Sequence, residues 1–190
     1  MDTPSITWIG CATNNFRPGR PAGQEISAVV IHIIDGSQVG ADATFLNDAL
    51  SLVRSAHYSV GHDGAVHQYV KETDTAYHAG VISKPSWKGM KKTPSGGYVN
   101  PNYYTIGIEH EGRPDDEWTD AMYSSSAALL RSISARYPAL AKLTRDNVIT
   151  VTAENKLHIE FTNNATNVAA ACSVPVSPSC TSTYTYDLAL

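Results

Sequence analysis

His32 stands at the downstream end of Ile26-Ser-Ala-Val-Val-Ile31, a short apolar, largely β-branched run bounded by Gly23 and Gly36. Such a run reads as a strand buried on both faces. In open α/β sheets, ligands bind in the crevice beyond the carboxyl ends of the strands. An imidazole there is held rigidly enough to act as a metal or catalytic ligand; the competing reading is a hydrogen-bonded core histidine. A second dense group of ionisable side chains ends another strand-like run. Glu109 follows Tyr104-Thr-Ile-Gly-Ile108 directly, with His110 and Glu111 after it. On a solvated loop such an acid is unremarkable chemically, whereas at a strand end facing a cleft it has work available to it. Ala76-Tyr77-His78-Ala79-Gly80 and Trp87 offer wall residues for a cleft. His62 and His67 fall on the exposed face of a hairpin and are given no role.

The elements that must position these groups are legible in outline. Residues 1–25 form an irregular N-terminal arm, with Trp8, Ile9 and Phe16 pinning it to the domain. Apolar positions 45, 46, 49, 50 and 53 have helical spacing, which predicts a helix over 42–53. Asp63-Gly64 between alternating runs is a hairpin signal, because the tight turn needs a positive φ. Residues 71–102 make a long polar loop of the kind that is functional when it interrupts a compact domain. A long helix is expected over 115–137, with Met122, Leu129, Leu130, Ile133 and Tyr137 on one face and Pro138 ending it. Asn147 to Thr152 alternates as a strand. The expected fold is therefore α/β, a single domain whose mixed sheet is flanked by helices. Its core spans 26–152, followed by an atypical tail at 153–190 that is poor in periodicity and gets no structural assignment.

With 190 residues, the chain suits one domain with a real core. A net charge of −4 leaves no basic footprint for nucleic acid. Cys11, Cys172 and Cys180 are too few and too uneven for a disulfide framework, although a Cys172–Cys180 bridge stays open. No apolar run approaches the roughly 20 residues that span a bilayer, and residues 1–5 lack the basic and apolar regions of a signal peptide.

Five segments, in order, resemble the zinc-dependent N-acetylmuramoyl-L-alanine amidases, the family that includes peptidoglycan-recognition proteins and phage endolysins. They are Val30-Ile31-His32, Ser55-Ala56-His57-Tyr58, Asp63-Gly64, Ala76-Tyr77-His78-Ala79-Gly80, and the long, specific stretch from Asn100 to Gly112. The resemblance runs from about Trp8 to Ile149. It implies a peptidoglycan substrate and hydrolysis of the amide between N-acetylmuramic acid and L-alanine of the stem peptide, with Zn2+ as cofactor. It makes His32 a zinc ligand, Glu109 the general base, and His78, with Tyr58 near it, part of the substrate groove. A monomer acting on bacterial peptidoglycan is expected, and the lack of a signal peptide points to action after release from the cytoplasm, as in phage lysis, or after export by a non-Sec route. The alternative is a peptidoglycan-binding module without catalysis.

The match breaks late in the chain. The family's next zinc ligand is a histidine following the strand at 147–149, and a Cys-Pro-Gly or an Asp comes about ten residues later. Here position 151 is valine and no Cys-Pro-Gly exists. In one reading an insertion displaces the ligands, so that His158 and Cys172 complete the set with His32. In the other the tail from about Thr150 is not the family's own. A one-base shift of reading frame would produce that, since back-translated Thr150-Val151-Thr152 then permits Gly-His and Ser173-Val174-Pro175 permits Cys-Pro-Gly.

Overall fold

The computed structural model describes residues 4–49, 53–82, 85 and 87–141, together with the backbone at 148–150, 159–164, 167–172 and 183–186. Strands β1 (Ile6–Trp8), β2 (Phe16–Arg17) and β3 (Ala28–Ile33) lead into helix α1 (Gln38–Leu46). Strands β4 (Tyr58–Val60), β5 (Val66–Gln68) and β6 (Thr75–Ala76) follow. A single 3₁₀ turn (Pro101–Tyr103) then precedes β7 (Thr105–His110) and helix α2 (Asp120–Ser134). Strand β8 (Val148–Thr150) completes a mixed sheet of order β1-β5-β4-β7-β3-β8.

Within this sheet only the β4–β5 pair is antiparallel; β3 runs parallel to both β7 and β8. The hairpin turns at Gly64, whose φ of +82° suits a residue without a side chain. The two faces of the sheet differ. Val29, Ile31, Ile106, Ile108, Tyr58, Val60 and Val66 pack against Met122, Leu129, Leu130 and Ile133 of α2. On the other face Ala41 and Phe45 of α1 close over Ala56, Tyr69, Val70 and Ala76.

Several elements depart from their expected bounds, each for a local reason. Helix α1 starts at Gln38 rather than at residue 42, because Ser37 Oγ accepts from Gly40 N–H and the Glu111 carboxylate accepts from Gln38 N–H. It ends at Leu46 because the N-terminal arm takes its last carbonyls: Ala12 N–H and Asn15 Nδ2 both donate to the Phe45 carbonyl. Helix α2 begins five residues late, at the Thr119 cap, whose Oγ1 accepts from Met122 N–H. The arm itself is partly regular, with β1 pairing in parallel along β5 and β2 pairing with β6. In the tail, β9 (Ile159–Asn164), β10 (Asn167–Cys172) and β11 (Thr183–Tyr186) form an antiparallel sheet.

One buried carboxylate ties the α2 end of the molecule to the sheet. Glu72 is 9% exposed and accepts from Tyr58 OH (2.8 Å), Tyr137 OH (2.9 Å), and Arg136 Nε (3.0 Å) and Nη2 (2.6 Å). Removing it strands four donors on three residues. We expect Glu72→Ala to cost about 2–4 kcal/mol in urea denaturation, with Tyr58→Phe costing far less.

Candidate active site

Parallel pairing sets His32 of β3 directly beside Glu109 of β7. Across β7, Ser59 of β4 is the register partner of Glu109, and His67 of β5 is the partner of Ser59. Register partners share a face, so a polar row crosses the sheet on the side away from α2. Glu109 lines a cleft of about 440 Å³ between the end of β3 and α1, together with Asp35, Ser37, Thr44 and Arg54. His32 stands one strand further along.

Glu109 Oε2 is buried and has no hydrogen-bond partner among the described residues. Burial pushes its carboxyl up to about 7, because the charged form loses its water. Glu111, two residues on, is differently employed: its oxygens accept from Gln38 N–H and His62 N–H, which makes it a structural cap.

Three histidines cluster on the same face. His32 Nε2 lies 3.0 Å from His78 Nδ1, and His78 Nε2 lies 3.1 Å from Thr105 Oγ1. The His78 ring rests on the backbone of β7. A Cβ on Gly107 would come within 2.4 Å of that ring, so only glycine admits it. His78 N–H and Ala79 N–H both donate to Asn102 Oδ1, which seats the segment. His57 accepts from Gly107 N–H at Nδ1, so its proton is on Nε2, aimed at the Asp74 carbonyl. Arg20, from the arm, lies against His57 and donates to the carbonyls of Glu72, Asn102 and Thr105.

These rings are held neutral. Burial lowers His32 to about 4. Burial first, and then the Arg20 charge, lower His57 to about 3; His78 is pushed well below its usual value by burial and by His32, His57 and Arg20. On the opposite face, burial lowers His110 to about 3. Its Nδ1–H donates to the His32 carbonyl, its Nε2 accepts from Ser126, and Trp118 stacks on its ring at 4.1 Å.

The structure brings His32, Glu109 and His78 together. It sets Tyr58 apart: that side chain is 2% exposed, faces α2 and hydrogen-bonds Glu72, so no groove role is carried forward for it. Both His78 nitrogens are engaged inside the protein rather than free to meet a ligand. His67, expected on an exposed face, is instead partly buried against Asp42. His57 and Arg20 were not singled out by sequence; the Ser55-Ala56-His57-Tyr58 segment was the available signal for the former. His158 lies outside the described residues, and Cys172 is described only as backbone, at the end of β10 opposite Ile159. Pairing of β8 ends at Thr150, opposite Ile31 and one residue short of His32. Among the described residues no group of three His, Cys, Asp or Glu side chains converges on a metal position. What is present, a neutral imidazole beside an unpartnered buried carboxylate oxygen, fits one corner of such a site.

A family model described as N-acetylmuramoyl-L-alanine amidase matches residues 22–158. The chain is 34% identical over 139 residues to N-acetylmuramoyl-L-alanine amidase A of Achromobacter lyticus, covering 72% of this chain and 65% of that protein. It is 35% identical over 125 residues to 1,6-anhydro-N-acetylmuramyl-L-alanine amidase AmpD of Salmonella typhimurium (strain SL1344), covering 65% of this chain and 58% of that one. It thus spans less than two thirds of the length of either relative. A crystal structure of a selenomethionine AmpD derivative superposes with a TM-score of 0.58 at 26% identity, covering 83% of this chain and 87% of that one.

Two outcomes are expected from this geometry. Gly107→Ala should displace His78 and cost about 1–3 kcal/mol of stability, read by thermal melting and by loss of the His32–His78 contact in a crystal structure. His57 is depressed from 6.5 to about 3 in the fold, so its contribution to stability is complete above 6.5 and is lost as pH falls toward 3. His57→Asn keeps the acceptor for Gly107 N–H and should flatten the acid limb of stability by at most about 1.4 kcal/mol per pH unit, measured by urea midpoints between about pH 4 and 7.5.

Proposed function

The chain belongs to the N-acetylmuramoyl-L-alanine amidase family, and from that premise we propose that it is a peptidoglycan hydrolase. It cleaves the amide between the lactyl group of N-acetylmuramic acid and L-alanine of the stem peptide. The observation that carries this reading is the side-by-side placement of His32 and Glu109, with a buried Glu109 oxygen that has no partner among the described residues.

The family is generally zinc-dependent. In the proposed site His32 is one ligand, and His158 and Cys172 complete the set. Support for the latter pair comes from chemical need, since catalytic zinc takes three protein ligands, and from the β9–β10 hairpin, which pairs Cys172 with the residue following His158. Zinc, when bound, supplies Lewis-acid polarisation of the amide carbonyl and of the attacking water. Glu109 takes the water proton on its carboxylate and returns it to the leaving amine nitrogen. A carboxyl poised at about 7 suits both halves of that transfer. The cleft beside α1 receives substrate, and Arg54 on its wall offers a cation to the acidic stem peptide. The protein works at the cell wall as a monomer. No helix among the described residues is long and apolar enough to cross a membrane.

A second reading, a peptidoglycan-binding module without catalysis, is favoured by one observation. Where β8 stops beside β3, the next residues in the chain are Val151 and Thr152, neither a zinc ligand of this family.

Zinc content of the purified full chain, together with release of stem peptides from purified peptidoglycan, separates the two readings. The enzyme binds near-stoichiometric zinc and releases peptide, whereas the module does neither and still sediments with insoluble wall. Glu109→Gln is expected to keep zinc and wall binding and to lower kcat by about 10²–10⁴-fold. An unchanged kcat would remove Glu109 from the mechanism, and a parallel loss of zinc would make it a ligand.

A further inference from the structure

The hydrogen bonds behind His32 form a chain with one end of fixed polarity. The Pro101 carbonyl can only accept, so the Thr105 hydroxyl, 2.7 Å away, donates to it. With that hydrogen used, Thr105 Oγ1 accepts from His78 Nε2–H at 3.1 Å. A neutral imidazole carries a single N–H, so His78 Nδ1 is an acceptor. The 3.0 Å bond to His32 is therefore donated by His32 Nε2–H. The His32 electron pair is then on Nδ1, which has no hydrogen-bond partner among the described residues.

We infer that Pro101, Thr105 and His78 form a relay that holds His32 as its Nε2–H tautomer and presents Nδ1 as the metal-binding atom. His78 and Thr105 are positioning residues in this arrangement. Use of the Nδ1 pair rests on the zinc reading above, whereas the tautomer does not. The relay is rigid at every joint. The 3₁₀ turn Pro101–Tyr103 sets the accepting carbonyl. Asn102 holds the backbone of His78 and Ala79, and Gly107 leaves room for the ring. Arg20 clamps the carbonyls of Asn102 and Thr105, and His110 fixes the carbonyl of His32 itself. A histidine ligand whose second nitrogen is committed to a partner is oriented, and its metallated nitrogen is chosen for it.

Long-range proton–nitrogen NMR on the metal-free full chain at neutral pH tests the inference directly. His32 should show a protonated Nε2 and a bare Nδ1, and titration with zinc alone should shift Nδ1 while Nε2 keeps its proton. Thr105→Val removes the acceptor with little change of shape. It should let His78 invert, give His32 a mixture of tautomers, and weaken zinc binding by about 10–100-fold. Thr105→Ser should restore both, and His78→Ala should match Thr105→Val if the valine variant folds poorly. A His32 carrying its proton on Nδ1 in the wild type would overturn the relay. So would folded Thr105→Val and His78→Ala proteins with wild-type tautomer and zinc affinity. A wild type with the expected tautomer and no zinc uptake would support the relay and sink the amidase reading instead.

Discussion

In-register parallel pairing of β3 with β7 holds both the core and the candidate site in place. It places an imidazole and a carboxylate side by side at the ends of two buried strands. A shift of one residue in either strand would turn one of them to the α2 face. The apolar partners on that face hold the register, because Ile31 beside Ile108 and Val29 beside Ile106 bury fully against α2. The hydrophobic core and the candidate site are thus two sides of the same pairing.

Burial acts oppositely on the two kinds of group at the site. It takes water from Glu109 without supplying a donor, so the carboxyl holds its proton more tightly. It takes water from His32, His57 and His78, so these rings release theirs. A metal needs a neutral imidazole and proton transfer needs a carboxyl that exchanges near neutrality, and one low-dielectric pocket provides both. The Arg20 charge reinforces the neutrality of His57 and His78 while its hydrogens are taken up by carbonyls.

The N-terminal arm is therefore part of the site's support. Arg20 reaches the seat of His78, Asn15 and Ala12 close the end of α1, and β1 extends the sheet along β5. Helix α1 is secured at both ends by distant residues, Glu111 at its start and the arm at its finish, and it forms one wall of the cleft that holds Glu109.

The strands carrying His32 and Glu109, the Asp63-Gly64 hairpin, the apolar face of α2 and the family are all legible in the order of residues alone. Each of these rests on short-range periodicity, on turn chemistry or on contiguous motifs. Only the tertiary structure decided the bounds of α1, since beyond the local Ser37 cap each end is held by residues far along the chain, Glu111 at the start and Ala12 and Asn15 at the finish. It also decided the side of the sheet that Tyr58 takes, because strand alternation names two faces without saying which one meets solvent. The same holds for the use of Arg20 and Thr105. Arg20 acquires its role from the carbonyls of Asn102 and Thr105, 82 and 85 residues away, and Thr105 from the ring of His78, 27 residues away, which folding brings within 3.1 Å.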